Sequence, residues 1–294
     1  MKVSIDKSKW QILGVIFLLA LISLVTFDIL RRGIFSGKTG LNVVVVGDKT
    51  VGLLLLRPDE DIVDWLELPE NLKVKIYNSM ANYPAVSLWK YGLAEKKPFE
   101  IVEKSLGLAM WVAIARTVKI DGEASIENVL ANLHKFSLKT DLSFRDRWTI
   151  RQFLAETVTA KKMLELTIPK NAFDSVVEPD GKEFLVFNSV ANLWIKNKFV
   201  LEPVLNENVD VAVNNITGQA GLGVAISRQL ESAGLRVIEV KADPGDNIAG
   251  TGCLFMVRGS YPISEKFLID QLGCIKKTGA FGESNNLGIK LWLE

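Results

Sequence analysis

Histidine is nearly missing from this chain. His134 is the only one among 294 residues, so a Ser-His-Asp arrangement would have to be built on that single side chain. No nucleophile-elbow sequence accompanies it, which leaves a surface or core histidine as the expected role. Cysteine is almost as scarce: Cys253 and Cys274 are the only two. They do not form a CxxC pair, so neither a zinc site nor a thioredoxin-type redox motif is indicated, and two buried thiols acting as small apolar groups are preferred over a disulfide. An excess of either charge is absent too. Lys plus Arg number 35 against 34 Asp plus Glu, a formal net charge of +1, so the chain has no global pull toward nucleic acid, and none is expected as a partner.

Apolar residues, in contrast, are plentiful. They make up 48% of the chain against 23% charged residues, a composition that folds. Residues 10–30 read WQILGVIFLLALISLVTFDIL, without a charge before Asp28. About 20 apolar residues are what a bilayer core requires. A signal peptide has a shorter apolar region ending in small residues, whereas here Phe27, Asp28 and Ile29 precede Arg31 and Arg32, so an uncleaved anchor with Asp28 at the interface is expected. Orientation stays open on charge alone. Lys2, Lys7 and Lys9 lie on one side of the run, Arg31, Arg32 and Lys38 on the other.

Beyond the anchor the chain reads as two units, 36–201 and 202–294, joined by a Pro- and Asn-bearing linker near Leu201; residues 1–35 form the tail and anchor. The runs Leu41–Val46, 51–56 and Ile62–Leu68 are strands separated by Gly47-Asp48 and Arg57-Pro58-Asp59 and closed by Pro69. Pro98 opens a helix with Ile101, Val102 and Leu106 on one face and Gly107 as its stop. Ile150, Phe153, Leu154, Thr157 and Val158 share helical spacing. Strands followed by separate helices indicate a mixed-sheet α-β-α layer fold. In the second unit a strand from Val211, a glycine turn, a helix through Leu222, Ala225, Ile226 and Leu230 stopped by Gly234, and a second strand make a βα unit. Cys253–Val257, 264–272 and Ile289–Leu293 repeat it in outline, giving a small α/β domain. Gly218, Gly221 and Gly223 are a turn with close helix packing; GxxGxG is not the dinucleotide order GxGxxG. Trp65, Trp89, Trp111, Trp148 and Trp194 read as core or partly buried packing, with a lipid-carrier channel as the rival reading.

The stretch VVVVGDKTVGLLLLRPDEDIVDWLELPENLKVKI, the helix PFEIVEKSLGL and the segment TDLSFRDRWTIRQFLAET together resemble the LytR-CpsA-Psr family. The segment carrying Val211, Val213, Asn214, Gly218, Gly221, Leu222, Ala233, Gly234 and Leu235 resembles the LytR C-terminal domain. The first resemblance implies transfer of glycopolymers from a polyprenyl-pyrophosphate carrier to peptidoglycan, with arginines gripping the pyrophosphate and an aspartate helping to hold magnesium. Guanidinium forks suit phosphate oxygens. Carried over by position, Arg145, Arg147 and Arg151 are the candidate anion-binding residues, and Asp48 and Asp141 the candidate metal ligands. Asp141 and Arg147 fit the motif, whereas Phe144 stands where the first arginine is expected and Trp148 where glutamine is; Arg151-Gln152 repeats the dipeptide four residues on. After the third strand the family's Pro-Arg-Asp is Pro69-Glu70-Asn71 here, a carboxylate where phosphate needs a cation. The competing reading of the three arginines is a solvated helix face paired with Asp146 or Glu156.

The resemblance therefore implies a single-pass cell-membrane protein of the bacterial envelope with extracytoplasmic domains. Its expected role is to bind or scaffold a wall glycopolymer or lipid-linked precursor, with transferase activity reduced or lost. An active, magnesium-using phosphotransferase and a structural assembly factor that contacts other envelope proteins are the alternatives.

Overall fold

The structure is a computed structural model and describes residues 7–30, 33–37, 39–79, 81–196, 198–242, 252–279 and 287–293. Helix α1 (Lys7–Leu30) runs 24 residues, about 36 Å at ~1.5 Å per residue. Its described side chains, 13–24 and 27, are all exposed, Leu24 and Phe17 among them. Among the described residues no helix is long and apolar enough to cross a membrane. The side chains of 10–12, 25, 26 and 28–30 in the expected span 10–30 lie outside those described, as do the readings placed on the Asp28 side chain, Arg31, Arg32 and Lys38.

The chain then forms β1 (Leu41–Val46), β2 (Val51–Arg57) and β3 (Ile62–Leu68), an antiparallel meander in the middle of a mixed sheet. A small ribbon of β4 (Lys73–Lys75) and β5 (Asn82–Pro84) follows. Next come α2 (Leu88–Ala94), α3 (Pro98–Met110), β6 (Arg116–Lys119), α4 (Ile126–Asn132), β7 (Lys139–Thr140), α5 (Phe144–Thr159) and β8 (Met163–Leu166). Sheet order is β7-β6-β1-β2-β3-β8, with β6 parallel to β1 and β8 parallel to β3. Every residue of β1 and β2 is buried. Alternate side chains serve opposite faces, as the pleat dictates: Leu53 and Leu55 meet Leu88, Val102 and Leu106, while Leu54 and Leu56 meet Val129, Ile150 and Leu154. Helices on both faces explain why these strands read as unbroken apolar runs rather than alternating ones. Gly52 is needed where the sheet crowds, since a Cβ there would sit 2.4 Å from the Trp65 ring.

After the hairpin β9 (Phe173–Val177) and β10 (Glu183–Phe187) and helix α6 (Ser189–Lys196), the presumed linker is instead a packed turn of helix, α7 (Glu202–Leu205). Its Val204 is buried, and the amide of Leu201 donates to Ala233 O at 3.1 Å. The second sheet then follows from β11 (Asp210–Asn215), α8 (Leu222–Ala233), β12 (Arg236–Lys241), β13 (Cys253–Val257), α9 (Pro262–Leu272), β14 (Ile275–Lys276) and β15 (Ile289–Leu293), in the order β12-β11-β15-β13-β14. Gly234 ends α8 at φ +108°, the left-handed cap expected there.

Several expectations are corrected. Helix α3 does not stop at Gly107 but runs three residues further to Met110, after which Trp111 takes the left-handed cap; Gly107 is small because a Cβ there would sit 3.0 Å from Val112 O and 3.2 Å from Gln229 Nε2. Cys253 and Cys274 are not thiols but a disulfide, their Cα atoms 4.4 Å apart, because the end of α9 returns its chain alongside β13. Trp148 is 53% exposed rather than packed, whereas Trp65 and Trp89 lie in the core. Polar Ser227, Gln229 and Ser232 of α8 are buried beside the expected apolar face, since α8 lies against α3 and α6 as well as its own sheet.

The two halves meet along this seam. Ser232 Oγ donates to Trp111 O at 2.7 Å, the Arg228 guanidinium lies 3.7 Å over the Trp111 ring, and Gln271 Nε2 donates to Gly40 O at 2.8 Å. At the end of the β2–β3 hairpin, buried Arg57 pairs through Nε with buried Asp64 at 2.7 Å and donates from Nη1 to Val200 O (2.7 Å) and from Nη2 to Lys198 O. Replacing Arg57 by Ala strands a buried carboxylate and frees two carbonyls, a loss expected to be about 3–5 kcal/mol. Urea titration of the variant against the parent checks it, and a loss below ~1 kcal/mol would contradict this role.

Candidate functional site

The tight turn between β1 and β2 carries Asp48. Its backbone is tied to Gly122 by an N–H···O bond of 2.7 Å, and Thr50 Oγ1 accepts from the Ala124 amide at 2.6 Å. Asp48 Oδ1 accepts from Lys119 Nζ and Oδ2 from the Gly122 amide, both at 2.8 Å. These bonds, Lys119 first, hold its carboxyl below the ordinary carboxylate value.

Asp141 follows β7 and has other partners. Its Oδ1 accepts from the Thr117 amide at 2.8 Å, and Oδ2 stands 3.5 Å from Arg116 Nε. The two aspartates therefore attach to different residues of β6, Asp48 at its Lys119 end and Asp141 at its Arg116 end. Among the described residues no group of three His, Cys, Asp or Glu is placed to hold a metal. Magnesium asks for about six oxygen ligands around one point, whereas both Asp48 oxygens already accept from a lysine and an amide. The donor set does not fit that ion.

Facing Asp141 is a residue that the sequence reading did not single out. Glu103, on α3, accepts the Thr117 hydroxyl at 2.9 Å and hydrogen-bonds the Asp141 carboxyl. Burial, and then the Asp141 charge, push Glu103 up to about 9; burial raises Asp141 too, against the pull of Thr117 and Arg116. Two carboxyls this close cannot both ionise cheaply. Near neutral pH Glu103 keeps its proton and donates it to Asp141, whose charge Arg116 offsets. The available signal was local: Glu103 follows two residues of the apolar stripe, Ile101 and Val102, so the helix carries it to the edge of the core.

The three arginines are separated by the geometry of α5. Ser143 caps this helix, accepting from Asp146 N at 3.1 Å. Among the described residues Asp146 pairs with no arginine; it is buried and accepts from Phe35 N at 2.9 Å and from Ser143 Oγ at 2.8 Å. Arg145 is exposed. Arg147 and Arg151, one turn apart, share another face: Arg147 is buried, donates to Lys135 O at 3.0 Å and lies 5.4 Å over the Phe144 ring. The Nε atoms of both are buried without a partner. Among the described residues none of the three makes an ion pair with a carboxylate, so the expected pairing with Asp146 or Glu156 is not formed. His134 is exposed.

Two clefts flank Trp65. One, of about 390 Å³, is lined by Glu67, Glu70 and Glu165 with Phe173; the other, of about 230 Å³, by Glu67, Glu123, Glu127 and Glu165. Among the described residues neither lining includes a lysine or arginine. In the second half, the glycine turn closes on itself: Asn215 Nδ2 donates to Gln219 O at 2.8 Å, and Asn215 Oδ1 accepts from Thr217 N at 3.2 Å.

No family model matches the chain, and no curated protein does either. Solved structures do. Bacillus subtilis TagT is 11% identical, with a TM-score of 0.43, over 57% of this chain and 92% of that one. A LytR-CPS2A-psr family protein, YwtF (TagT), with bound octaprenyl pyrophosphate lipid is 12% identical at a TM-score of 0.42, over 57% and 92%. A transcriptional regulator from Enterococcus faecalis is 11% identical at 0.42, over 70% and 91%. The likeness lies in backbone arrangement alone.

The carboxyl pair sets a pH dependence. Glu103 has its folded value, about 9, above the ordinary 4.5, so between those values the folded state binds the extra proton. Its contribution is then complete at low pH and is lost as pH rises toward 9. Melting temperature measured from pH 5 to 9 is expected to fall with rising pH in the parent and to flatten in Glu103→Gln; parallel curves would remove the shared proton.

Proposed function

We propose that this chain is an anchored protein of the bacterial envelope that binds or scaffolds a wall glycopolymer or its lipid-linked precursor without transferring it. The observation that carries the absence of transfer is the charge of the clefts beside Trp65; the binding of a glycan comes from the sequence resemblance. Glu67, Glu70 and Glu165 line the end of the sheet where the resemblance asks for a cation, and they oppose a pyrophosphate there by like charge. Arg147 spends one of its donors on Lys135 O, and Arg145 stands on another face of α5, so the three arginines do not form one grip. The ligand class, a polyprenyl-pyrophosphate-linked glycan, comes from the sequence resemblance.

Two features support the location. The exposed apolar side chains of α1 would be costly in water and suit a lipid surround. The Cys253–Cys274 disulfide suits an oxidising compartment outside the cytoplasm. On this reading residues 1–35 are tail and anchor, 36–201 the LytR-CpsA-Psr-like unit and 202–294 the LytR C-terminal-like unit. An active transferase would need Arg147 and Arg151 to turn their unpartnered Nε groups to phosphate.

Calorimetric titration of the full chain in detergent with a short-chain polyprenyl-pyrophosphate sugar tests the binding site. Glu70→Arg is expected to tighten binding by roughly tenfold, the worth of one charge-assisted hydrogen bond. Unchanged affinity would sink the argument from the acidic cleft, and magnesium-dependent binding by the parent would favour the transferase. Location is tested separately. After reduction, an impermeant thiol reagent is expected to label Cys253 and Cys274 in intact cells; labelling only after lysis would put the domains in the cytoplasm.

A further inference from the structure

Helix α5 begins against the exit of α1. Gly33 lies so close to its first turn that a Cβ there would sit 2.7 Å from Asp146 Oδ1 and 3.5 Å from Arg145 Cδ, and Phe35 gives its amide to Asp146. Gly33 follows Leu30, the last residue of α1, by three positions, a reach of at most about 11 Å. Whatever surrounds the end of α1 therefore also lies beside the first turn of α5.

That turn presents rings and cations. Phe136 is 89% exposed and stacks on Phe144 with ring centroids 6.1 Å apart, and Trp148 stands one turn on from Phe144 along the same helix face. Phe136 is held there. Leu138 N closes its loop on Lys135 O at 3.2 Å, that carbonyl takes a second bond from Arg147 Nη1 at 3.0 Å, and Leu133 and Leu142 on either side are buried. Three apolar rings fixed in one exposed patch mark a surface that something covers. Around them, residues 133–152 carry Lys135, Lys139, Arg145, Arg147 and Arg151 against Asp141 and Asp146. Both aspartates are engaged elsewhere, Asp146 with Phe35 N and Asp141 with Thr117 N and Arg116. Lys135, Lys139 and Arg145 are exposed and, among the described residues, form no ion pair. A hydrogen-bonding ligand finds neither donor nor acceptor on Phe136 or Phe144. An anionic bilayer offers what this patch lacks: apolar depth for the rings and phosphates for the cations around them.

We propose that Phe136, Phe144 and Trp148 dip into the headgroup layer of the membrane that holds α1, with Lys135, Lys139 and Arg145 on its anionic phosphates. This rests on reading α1 as an anchor. It adds that the first half lies down on the lipid along the start of α5, instead of standing off it on a tether.

The full-length chain tests it with one engineered thiol, Ser137→Cys next to Phe136, carrying an environment-sensitive fluorophore; Cys253 and Cys274 are joined in a disulfide and do not compete for the label. The protein is reconstituted into phosphatidylcholine vesicles with and without phosphatidylglycerol, with a nitroxide on the lipids just below their headgroups. The fluorophore is expected to be quenched in the anionic vesicles, and less so at high salt or without phosphatidylglycerol. Phe136→Ser combined with Trp148→Gln is expected to cut the quenching at least about twofold. Phe136 and Trp148 are both exposed, so the double variant is expected to keep the parent's melting temperature, and the lipid comparison in the parent needs no variant. Carbonate extraction of the same vesicles tells the two readings apart. A chain that resists extraction but shows no quenching, or quenching indifferent to lipid charge or to the aromatic side chains, overturns the docking and leaves the anchor. So does a fluorophore that enters apolar surroundings without being quenched, since a second copy of the chain would then cover the patch. A chain extracted by carbonate removes the anchor, and the docking with it.

Discussion

The pair formed by Arg57 and Asp64 holds the two halves of this protein in register. A guanidinium buried at the end of a hairpin must satisfy all its donors, and here one goes to Asp64 while others go to the carbonyls of Val200 and Lys198. Both carbonyls belong to the segment about to enter the second half. Burying the pair is expensive, and displacement of the segment would leave buried guanidinium N–H groups without acceptors. Leu201, next in the chain, then bonds Ala233, and α8 is set down against α3.

The rest of the architecture follows from that placement. With α8 pressed on α3, Gly107 has to be small, Trp111 has to turn left-handed, and its carbonyl finds Ser232. The polar stripe of Ser227, Gln229 and Ser232 makes sense only in this contact. Glu103, Asp141 and Arg116 form a group whose net charge is held near zero by a proton rather than by an ion.

What the sequence discloses depends on how far apart the interacting residues are. The strands β1 to β3 were readable to within a residue because burial on both faces makes their side chains mostly apolar, a property of each strand alone. Helix α8 and its glycine cap were readable for the same reason. Helix α3 was read three residues short because Gly107 looks like a stop until Gln229, more than a hundred residues away, is seen packed on it. The disulfide was missed because nothing local says that α9 returns its chain to β13. At the candidate site, Asp48 and Asp141 were found as residues, but their partners Lys119, Gly122, Arg116 and Thr117 lie elsewhere in the chain. Glu103 went unnoticed because its pair with Asp141 spans 38 positions, and the three arginines were read as a cluster from nearness in sequence, which a helix distributes around its axis.

The short segment leaving α1 deserves a mechanical description. Phe35 gives its amide to Asp146 and packs its ring 5.9 Å from Phe153, both on α5, while the carbonyl of Ile34 takes a bond from Lys266 on α9. Adjacent residues are thus pinned to opposite halves of the molecule. A pull along α1 is divided between the two sheets as soon as it leaves the helix, and reaches neither half as a peeling force on a chain end. Tension at the amino terminus loads the seam in shear and leaves the hairpins unstretched.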